Sequence, residues 1–228
     1  MTAASGLASR RRTGGARTRR ALRGPSREPA RLGIFGGTFD PPHFGHLALA
    51  EWARIALRLD RVWFVPAGEP PHKRRAERSA TRHRVAMTRL AVRANPAFAV
   101  STLESARAGP SYTADTVRAF AAAHPRARLH LLMGADMFAT FDQWREPEAI
   151  ASRCVLVVGQ RPGASARPRS AWARRGRGVV WLANPVLEVS SSALRAWARA
   201  GRPLRYVLPD PVARYATRHR LFGARVVG

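Results

Sequence analysis

The sequence is poor in cysteine, in acidic residues and in long apolar runs. Its one cysteine, Cys154, cannot form an internal disulfide, so we expect a buried thiol in a reducing compartment. No run of about 18 apolar residues occurs, which argues against a membrane-spanning helix. No HExxH motif or Cys/His cluster is present, so the sequence predicts no protein-built metal site. We therefore predict a cytoplasmic protein with no membrane partner.

Basic residues outnumber acidic residues by 40 to 14, which gives a formal net charge of +26. Such a charge is typical of nucleic-acid-binding proteins. The excess is spread along the whole chain and is almost entirely arginine, with Lys73 as the single lysine, which indicates a general compositional bias. We therefore expect no specific nucleic acid partner, although polyanions should bind at low salt. A positive cleft would also suit anionic small-molecule substrates.

Residues 1–30 are rich in arginine and contain one acid, Glu28, without apolar periodicity. Such a segment cannot bury enough apolar surface to become ordered, so we predict a disordered tail over residues 1–30 and a single domain over residues 31–228. The tail resembles an organelle transit peptide in composition. A polyanion-binding arm and a start codon assigned too far upstream are equally compatible with it.

Apolar runs alternate with helical patterns throughout the domain. This alternation predicts an α/β fold with a doubly wound, mostly parallel sheet, whose ligand site lies at the carboxyl ends of the strands. The predicted strands are 32–35, 61–65, 97–102, 128–133, 154–159 and 179–182. Five helices are predicted, of which the first spans 47–57 and the last spans 212–219. The second is capped by Ser79 or Thr81 and ends at residue 94, and the third is capped by Thr113 and ends near His124. The fourth starts after Ser190.

The segment 36–47, GGTFDPPHFGHL, connects the first predicted strand to the first helix. Gly36 and Gly37 allow a sharp turn and a close approach of backbone N–H groups to a ligand. His43 and His46 lie at the helix start, where unpaired donors and the positive end of the helix dipole favour anions, so both rings could donate to phosphate oxygens. The segment therefore predicts a phosphate site.

The string GGTFDPxHxGH resembles the nucleotidyltransferases that carry an HxGH motif, and most closely the bacterial nicotinate-nucleotide adenylyltransferases. The resemblance implies a Rossmann-like fold and transfer of the adenylyl group of ATP to nicotinate mononucleotide, with release of deamido-NAD and pyrophosphate. It also implies Mg²⁺ that arrives with ATP and no organic cofactor. Pro42 stands where the family commonly has isoleucine, which is a mild departure.

A second motif, VSSSALR, spans residues 189–195 and resembles the family's ISSTxIR segment. Its serines are expected at a helix N-terminus, and Arg195 can present a bidentate fork to phosphate one turn later. The resemblance implies that His43, His46 and Arg195 are catalytic. It implies that ATP is bound by Gly36, Gly37, Thr38, Phe39, His43, His46, Gly134, Asp136, Ser190, Ser191, Ser192 and Arg195.

Four further residues are expected on the nicotinate side. Thr113 could cap a helix whose first N–H groups hold a carboxylate, and Trp144 offers a flat face for stacking on a pyridinium ring. The family's SYTxDT and FxxW patterns match both segments, and its PHK loop matches the segment around Lys73. By resemblance the nicotinate-nucleotide-binding residues are Lys73, Tyr112, Thr113 and Trp144. Helix capping alone, or burial of the tryptophan in the core, would also explain the bare residue types.

Two other functions remain open from the sequence. A basic RNA-binding protein would explain the charge, and a related HxGH enzyme with another phosphate acceptor, such as pantetheine phosphate or glycerol phosphate, would explain the histidines. The sequence does not decide between nicotinate and nicotinamide, nor whether the chain forms a homo-oligomer.

Overall fold

The computed structural model describes residues 31–68, 78–107, 109–160, 172 and 176–224. The predicted tail, Lys73 and most of the segment between residues 160 and 176 lie outside these ranges. Within them, no helix combines the length and the apolar character needed to cross a membrane.

The described chain alternates strands with helices, as the sequence predicts. The strands are β1 (Arg31–Gly37), β2 (Arg61–Pro66), β3 (Phe98–Val100), β4 (Arg128–Gly134), β5 (Cys154–Gly159) and β6 (Val179–Trp181). The helices are α1 (Phe44–Ala56), α2 (Thr81–Val92), α3 (Thr113–Ala123), α4 (Ala135–Phe138), α5 (Pro147–Ala151), α6 (Ser191–Arg199) and α7 (Asp210–Arg218).

The six strands form one sheet in the order β3-β2-β1-β4-β5-β6, and every neighbouring pair is parallel. The chain builds outward from β1 to one edge and then from β4 to the other, so the winding reverses between β1 and β4. Ligands of such sheets bind at this reversal, beyond the carboxyl ends of the strands. The predicted doubly wound α/β fold is therefore confirmed.

Apolar side chains cover both faces of the sheet, which explains why its central strands are nearly continuous apolar runs. Along β5, Cys154, Leu156 and Val158 pack with α3 and α5, while Val155 and Val157 pack with α1. The expectation that Cys154 is buried is confirmed, since none of its surface is exposed. Helices α6 and α7 pack against α2 through a third cluster that includes Met87, Leu194 and Val212.

Helices α1 and α7 begin at Phe44 and Asp210, three and two residues before their predicted starts, and the caps of α2 and α3 differ from the predicted ones. Neither Ser79 nor Thr81 caps α2, because Ala80 is the N-cap and the Thr81 hydroxyl accepts a hydrogen bond from Arg84 instead. Thr113 is the first helical residue of α3 rather than its cap, since Tyr112 keeps the extended backbone of the cap position (φ −112°, ψ 135°).

Helix α2 also ends at Val92, two residues before the predicted end at Ala94. Pro96 explains this difference, because a proline disfavours helical backbone at the residue before it. The N–H of Asn95 closes the last turn by donating to the carbonyl of Val92 at 3.0 Å.

Candidate active site

The first motif begins inside β1 and ends inside α1. Gly36 and Gly37 are the last two residues of the strand, so the predicted sharp turn lies later than expected, at Phe39, whose φ is +49°. The Phe39 ring is buried and covers Gly37, where an added Cβ would lie 2.9 Å from it. The Phe39 side chain is therefore closed to a ligand, whereas a Cβ added at Gly36 would meet no atom within 4 Å outside its chain neighbours.

The rings of His43 and His46 lie against each other at the start of α1, tilted by 33°. His43 is the N-cap, and its backbone N–H donates to Nδ1 of His46 at 3.2 Å. The two residues form a capping box, and the helix starts three residues before the predicted Leu47. The two ring centroids are 3.8 Å apart. Because Nδ1 of His46 accepts a hydrogen bond, the proton of its neutral ring lies on Nε2.

Both imidazoles are buried, since 1% of His43 and 9% of His46 are exposed. Gly45 makes this packing possible, because a Cβ there would lie 3.1 Å from the His43 ring and 3.2 Å from Cγ1 of Val189. Val189 belongs to the second motif, so the two motifs already touch at this glycine.

The second motif docks on the first through side chains of α6. Ser190 caps the helix, its Oγ accepting from the N–H of Ala193 at 3.2 Å. The hydroxyl of Ser191 donates to the carbonyl of Pro41 at 2.9 Å. Two nitrogens of Arg195 are also engaged: Nη1 donates to the carbonyl of Asp40 at 2.9 Å and Nη2 donates to Oγ of Ser192 at 3.3 Å. The N-termini of α1 and α6 therefore share one edge of the sheet.

Gly134 and Asp136 lie beside β1 at the end of β4. Gly134 is the last residue of the strand and is buried, and Asp136 is exposed in the first turn of the short helix α4. Since β4 neighbours β1, the carboxylate of Asp136 lies at the same edge of the sheet as the first motif.

The segments that carry Tyr112 and Trp144 contact each other through neighbouring residues. The guanidinium of Arg145, next to Trp144, lies 4.6 Å from the Tyr112 ring centroid. Arg118 of α3 donates to Glu146 at 2.6 Å, which fixes the start of α3 against the chain that follows Trp144. Trp144 is half-buried and packs against Phe141, with a centroid separation of 5.3 Å.

A buried carboxyl group joins α3 to the end of β2. Glu104 is 7% exposed and accepts from the hydroxyl of Thr116 at 2.6 Å. Burial raises the pKa of Glu104, while the Thr116 hydrogen bond and the nearby Arg107 oppose that rise. A Cβ at Gly68 would lie 2.3 Å from the Glu104 carbonyl, and the Gly68 N–H donates to Ser111 Oγ at 3.2 Å.

Two features of the site are not indicated by any sequence pattern. The first is a small hollow of about 20 Å³ beside the start of α1, lined by Gly45, Leu49, Gln160, Asn184, Pro185, Leu187 and Val189. The second is Arg84 of α2, which is 1% exposed. The sequence marks neither, because both depend on contacts between distant segments.

No group of three His, Cys, Asp or Glu side chains suited to a metal ion occurs within the described ranges. Lys73 lies outside these ranges, so its expected contact with phosphate stays a prediction.

A sheet that reverses between β1 and β4, with an HxGH turn at its carboxyl edge, defines a nucleotidyltransferase of the cytidylyltransferase-like family, whose model matches residues 34–197. A Salinibacter ruber protein named probable nicotinate-nucleotide adenylyltransferase is 42% identical over 84% of this chain and 97% of its own. A Symbiobacterium thermophilum protein of the same name is 44% identical, over 85% of this chain and 95% of its own. The chain therefore belongs to the nicotinate-nucleotide adenylyltransferase family, which confirms the resemblance seen in the sequence.

Solved structures agree on the fold. The Plasmodium falciparum nicotinic acid mononucleotide adenylyltransferase, complexed with NaAD, superposes with a TM-score of 0.71 at 16% identity. The alignment covers 85% of this chain and 97% of that one. At this level of identity the match supports the α/β architecture and nothing finer.

Proposed function

We propose that this protein transfers the adenylyl group of ATP to nicotinate mononucleotide, which yields deamido-NAD and pyrophosphate. One observation carries the proposal: α6 contacts the histidine-bearing loop directly, through the bonds from Ser191 to Pro41 and from Arg195 to Asp40. Two helix N-termini with an arginine fork between them form a site for several adjacent phosphates. The names of the relatives support the same acceptor and donor.

In this reaction a phosphate oxygen of nicotinate mononucleotide attacks the α-phosphorus of ATP in line. A new P–O bond forms, the bond from the α-phosphorus to its bridging oxygen breaks, and pyrophosphate leaves with that electron pair. The attacking phosphate is already largely dianionic near neutral pH, since its second pKa is about 6, so no general base is required. The protein must bring the anions together and stabilise charge on the transferred and leaving groups.

ATP enters as its Mg²⁺ complex, because Mg²⁺ keeps several water ligands and binds mainly through substrate phosphates. We assign the Nε2–H of His46 to the α-phosphate in the transition state, as this proton is directed away from the His43 backbone. Arg195 would keep its Nη1 bond to the carbonyl of Asp40 and turn its other N–H groups, including the one bonded to Ser192, to the β- and γ-phosphates. His43 is almost fully buried, so its share in phosphate binding requires a small movement of the groups that cover it.

We assign the remaining parts of the substrates to separate residues of the site. The hollow beside Gly45 has a volume of about 20 Å³, which is room for one water molecule and not for the adenine base. Gly36 and Gly37, with the N–H groups of α6, would lie along the ATP phosphates, and Asp136 would accept from a ribose hydroxyl. Tyr112, Thr113 and Trp144 would hold the nicotinate ring, with Trp144 stacked on the pyridinium.

The test is pyrophosphate release from Mg²⁺–ATP with nicotinate mononucleotide, nicotinamide mononucleotide or phosphopantetheine as acceptor. We expect rapid release with the first acceptor, and detection of deamido-NAD by mass. Equal or faster release with phosphopantetheine would point to another HxGH enzyme. Strong, salt-dependent RNA binding without any pyrophosphate release would instead favour an RNA-binding protein. The cytoplasmic location and the homo-oligomer stay predictions.

A further inference from the structure

Arg84 is one of the largest fully buried side chains of the described chain, with 1% of its surface exposed. A buried guanidinium is costly unless each of its five N–H groups finds an acceptor. Burial lowers the pKa of Arg84, and the carboxylate of Asp40 opposes that shift. A charge in this position therefore requires a structural or functional explanation.

All five N–H groups of Arg84 are used. Nε donates to the carbonyl of Ser79 at 3.2 Å, and Nη2 donates to the carbonyl of Gly68 at 3.0 Å and to Oγ1 of Thr81 at 2.9 Å. Nη1 donates to the carbonyls of Thr38 at 3.1 Å and Ala67 at 2.6 Å. One side chain thus joins the loop before His43, the end of β2 and the start of α2.

Asp40 extends these bonds to α6. Its Oδ2 accepts from the N–H of Ser79 at 3.0 Å, and its carbonyl accepts from Arg195. A continuous series of hydrogen bonds therefore runs from Arg84 through Ser79 and Asp40 to Arg195. Oδ1 of Asp40 is buried and finds no hydrogen-bond donor in the described part of the chain, and the Asp40 carboxylate interacts electrostatically with the guanidinium of Arg84.

We propose that Arg84 is a positioning residue for adenylyl transfer: it fixes the loop 38–43 so that His46 and Arg195 meet the same triphosphate. This inference rests on the proposed function but concerns a residue that touches no substrate. Lysine cannot replace arginine here, because its ammonium offers three donors on a single atom and cannot reach acceptors on three segments.

The experiment compares Arg84→Lys with Arg54→Lys, a matched change at a partly exposed arginine paired with Glu51 on α1. Both variants are assayed at least about 15 °C below their Tm, and their near-UV circular dichroism must equal that of wild type. We expect the kcat of Arg84→Lys to fall about 100-fold, since a displacement of about 1 Å has that effect on catalysis. The affinity for α,β-methylene-ATP, measured by calorimetry, should fall about tenfold, and Arg54→Lys should match wild type.

Coupling to Arg195 separates positioning from simple stability. If Arg84 acts through the loop that Arg195 contacts, the double variant Arg84→Lys/Arg195→Lys loses less kcat than the product of the single losses. Multiplicative losses, or a folded Arg84→Lys protein with kcat and ATP-analogue affinity within about twofold of wild type, would overturn the inference. If Arg84→Lys does not fold, Thr81→Val removes a single acceptor and should lower kcat about three- to tenfold, and an unchanged kcat would count against the proposal.

Failure of the proposed function would look different. In that case wild type itself would release no pyrophosphate with nicotinate mononucleotide. The calorimetric affinity for α,β-methylene-ATP needs no turnover and would still test the role of Arg84. A loss of about tenfold in Arg84→Lys would support that role, and an affinity within about twofold of wild type would overturn it.

Discussion

The guanidinium of Arg195 donates through Nη1 to the backbone carbonyl of Asp40 at 2.9 Å, across 155 positions of sequence. This bond joins the second motif to the loop that leads into the paired histidines. The guanidinium is therefore oriented toward that loop by a backbone carbonyl. In its proposed role as a phosphate ligand Arg195 needs little further ordering, which keeps the entropic cost of binding small.

We expect His46→Ala to lower kcat about 100- to 1,000-fold, the usual effect of removing one donor to a developing negative charge. The change also removes the acceptor for the His43 N–H, so Tm must be measured together with activity. His124→Ala, at the far end of α3 from Tyr112, is the matched control and should leave kcat unchanged. Near-normal turnover of His46→Ala would exclude the proposed role.

Arg195→Lys should lower kcat/KM for ATP about 10- to 100-fold. A single ammonium cannot reach both Asp40 and Ser192, nor present two parallel N–H groups to a phosphate. Steady-state kinetics with varied ATP measure the loss. Arg199→Lys, one turn later on α6 and exposed, should behave as wild type. Wild-type kinetics for Arg195→Lys would show that only positive charge matters at this position, because lysine keeps the charge and loses the fork.

Trp144→Ala should raise the KM for nicotinate mononucleotide at least about tenfold and change the KM for ATP less than about threefold. The expected cause is lost stacking on the positively charged pyridinium ring. Trp144→Phe should recover most of the affinity, and Trp52→Ala, on the exposed side of α1, serves as a control. Losses of similar size for both substrates would argue for a packing role against Phe141 instead.

Glu104 predicts a pH dependence of stability. Because burial raises its pKa above the ordinary value of 4.5, the folded state favours the protonated carboxyl group. Its contribution to stability is therefore complete below pH 4.5 and is lost as the pH rises through the raised pKa. Glu104→Gln keeps an acceptor for Thr116 but cannot ionise.

Urea unfolding at several pH values tests this expectation. Relative to wild type, the free energy of unfolding of Glu104→Gln should improve as the pH rises above 4.5. Glu148→Gln, at an exposed position of α5, should show no such trend. A difference between Glu104→Gln and wild type that does not vary with pH would mean that Glu104 ionises normally in the folded protein.

Much of the fold follows from local patterns. The apolar run 154–159 predicts β5 without error, and the predicted and observed bounds of the other five strands differ by two residues at most at either end. Helix starts are harder to predict from the sequence, because a side chain that could cap a helix can hydrogen-bond to another partner instead. Thr81, a good cap by type, gives its oxygen to Arg84, and His46, not a usual cap residue, accepts from His43.

The sequence by itself determined the family, the doubly wound sheet and the two motifs, because glycines, histidines and serines at fixed spacing express local backbone and phosphate chemistry. Only the tertiary structure decided that Ser191 reaches Pro41 and that Arg84 is buried beneath the histidine loop. Partners 150 residues apart meet only when parallel strands bring their carboxyl ends to one edge. Nothing local distinguishes Arg84 from the other arginines, since its role comes from five acceptors supplied by three separate segments.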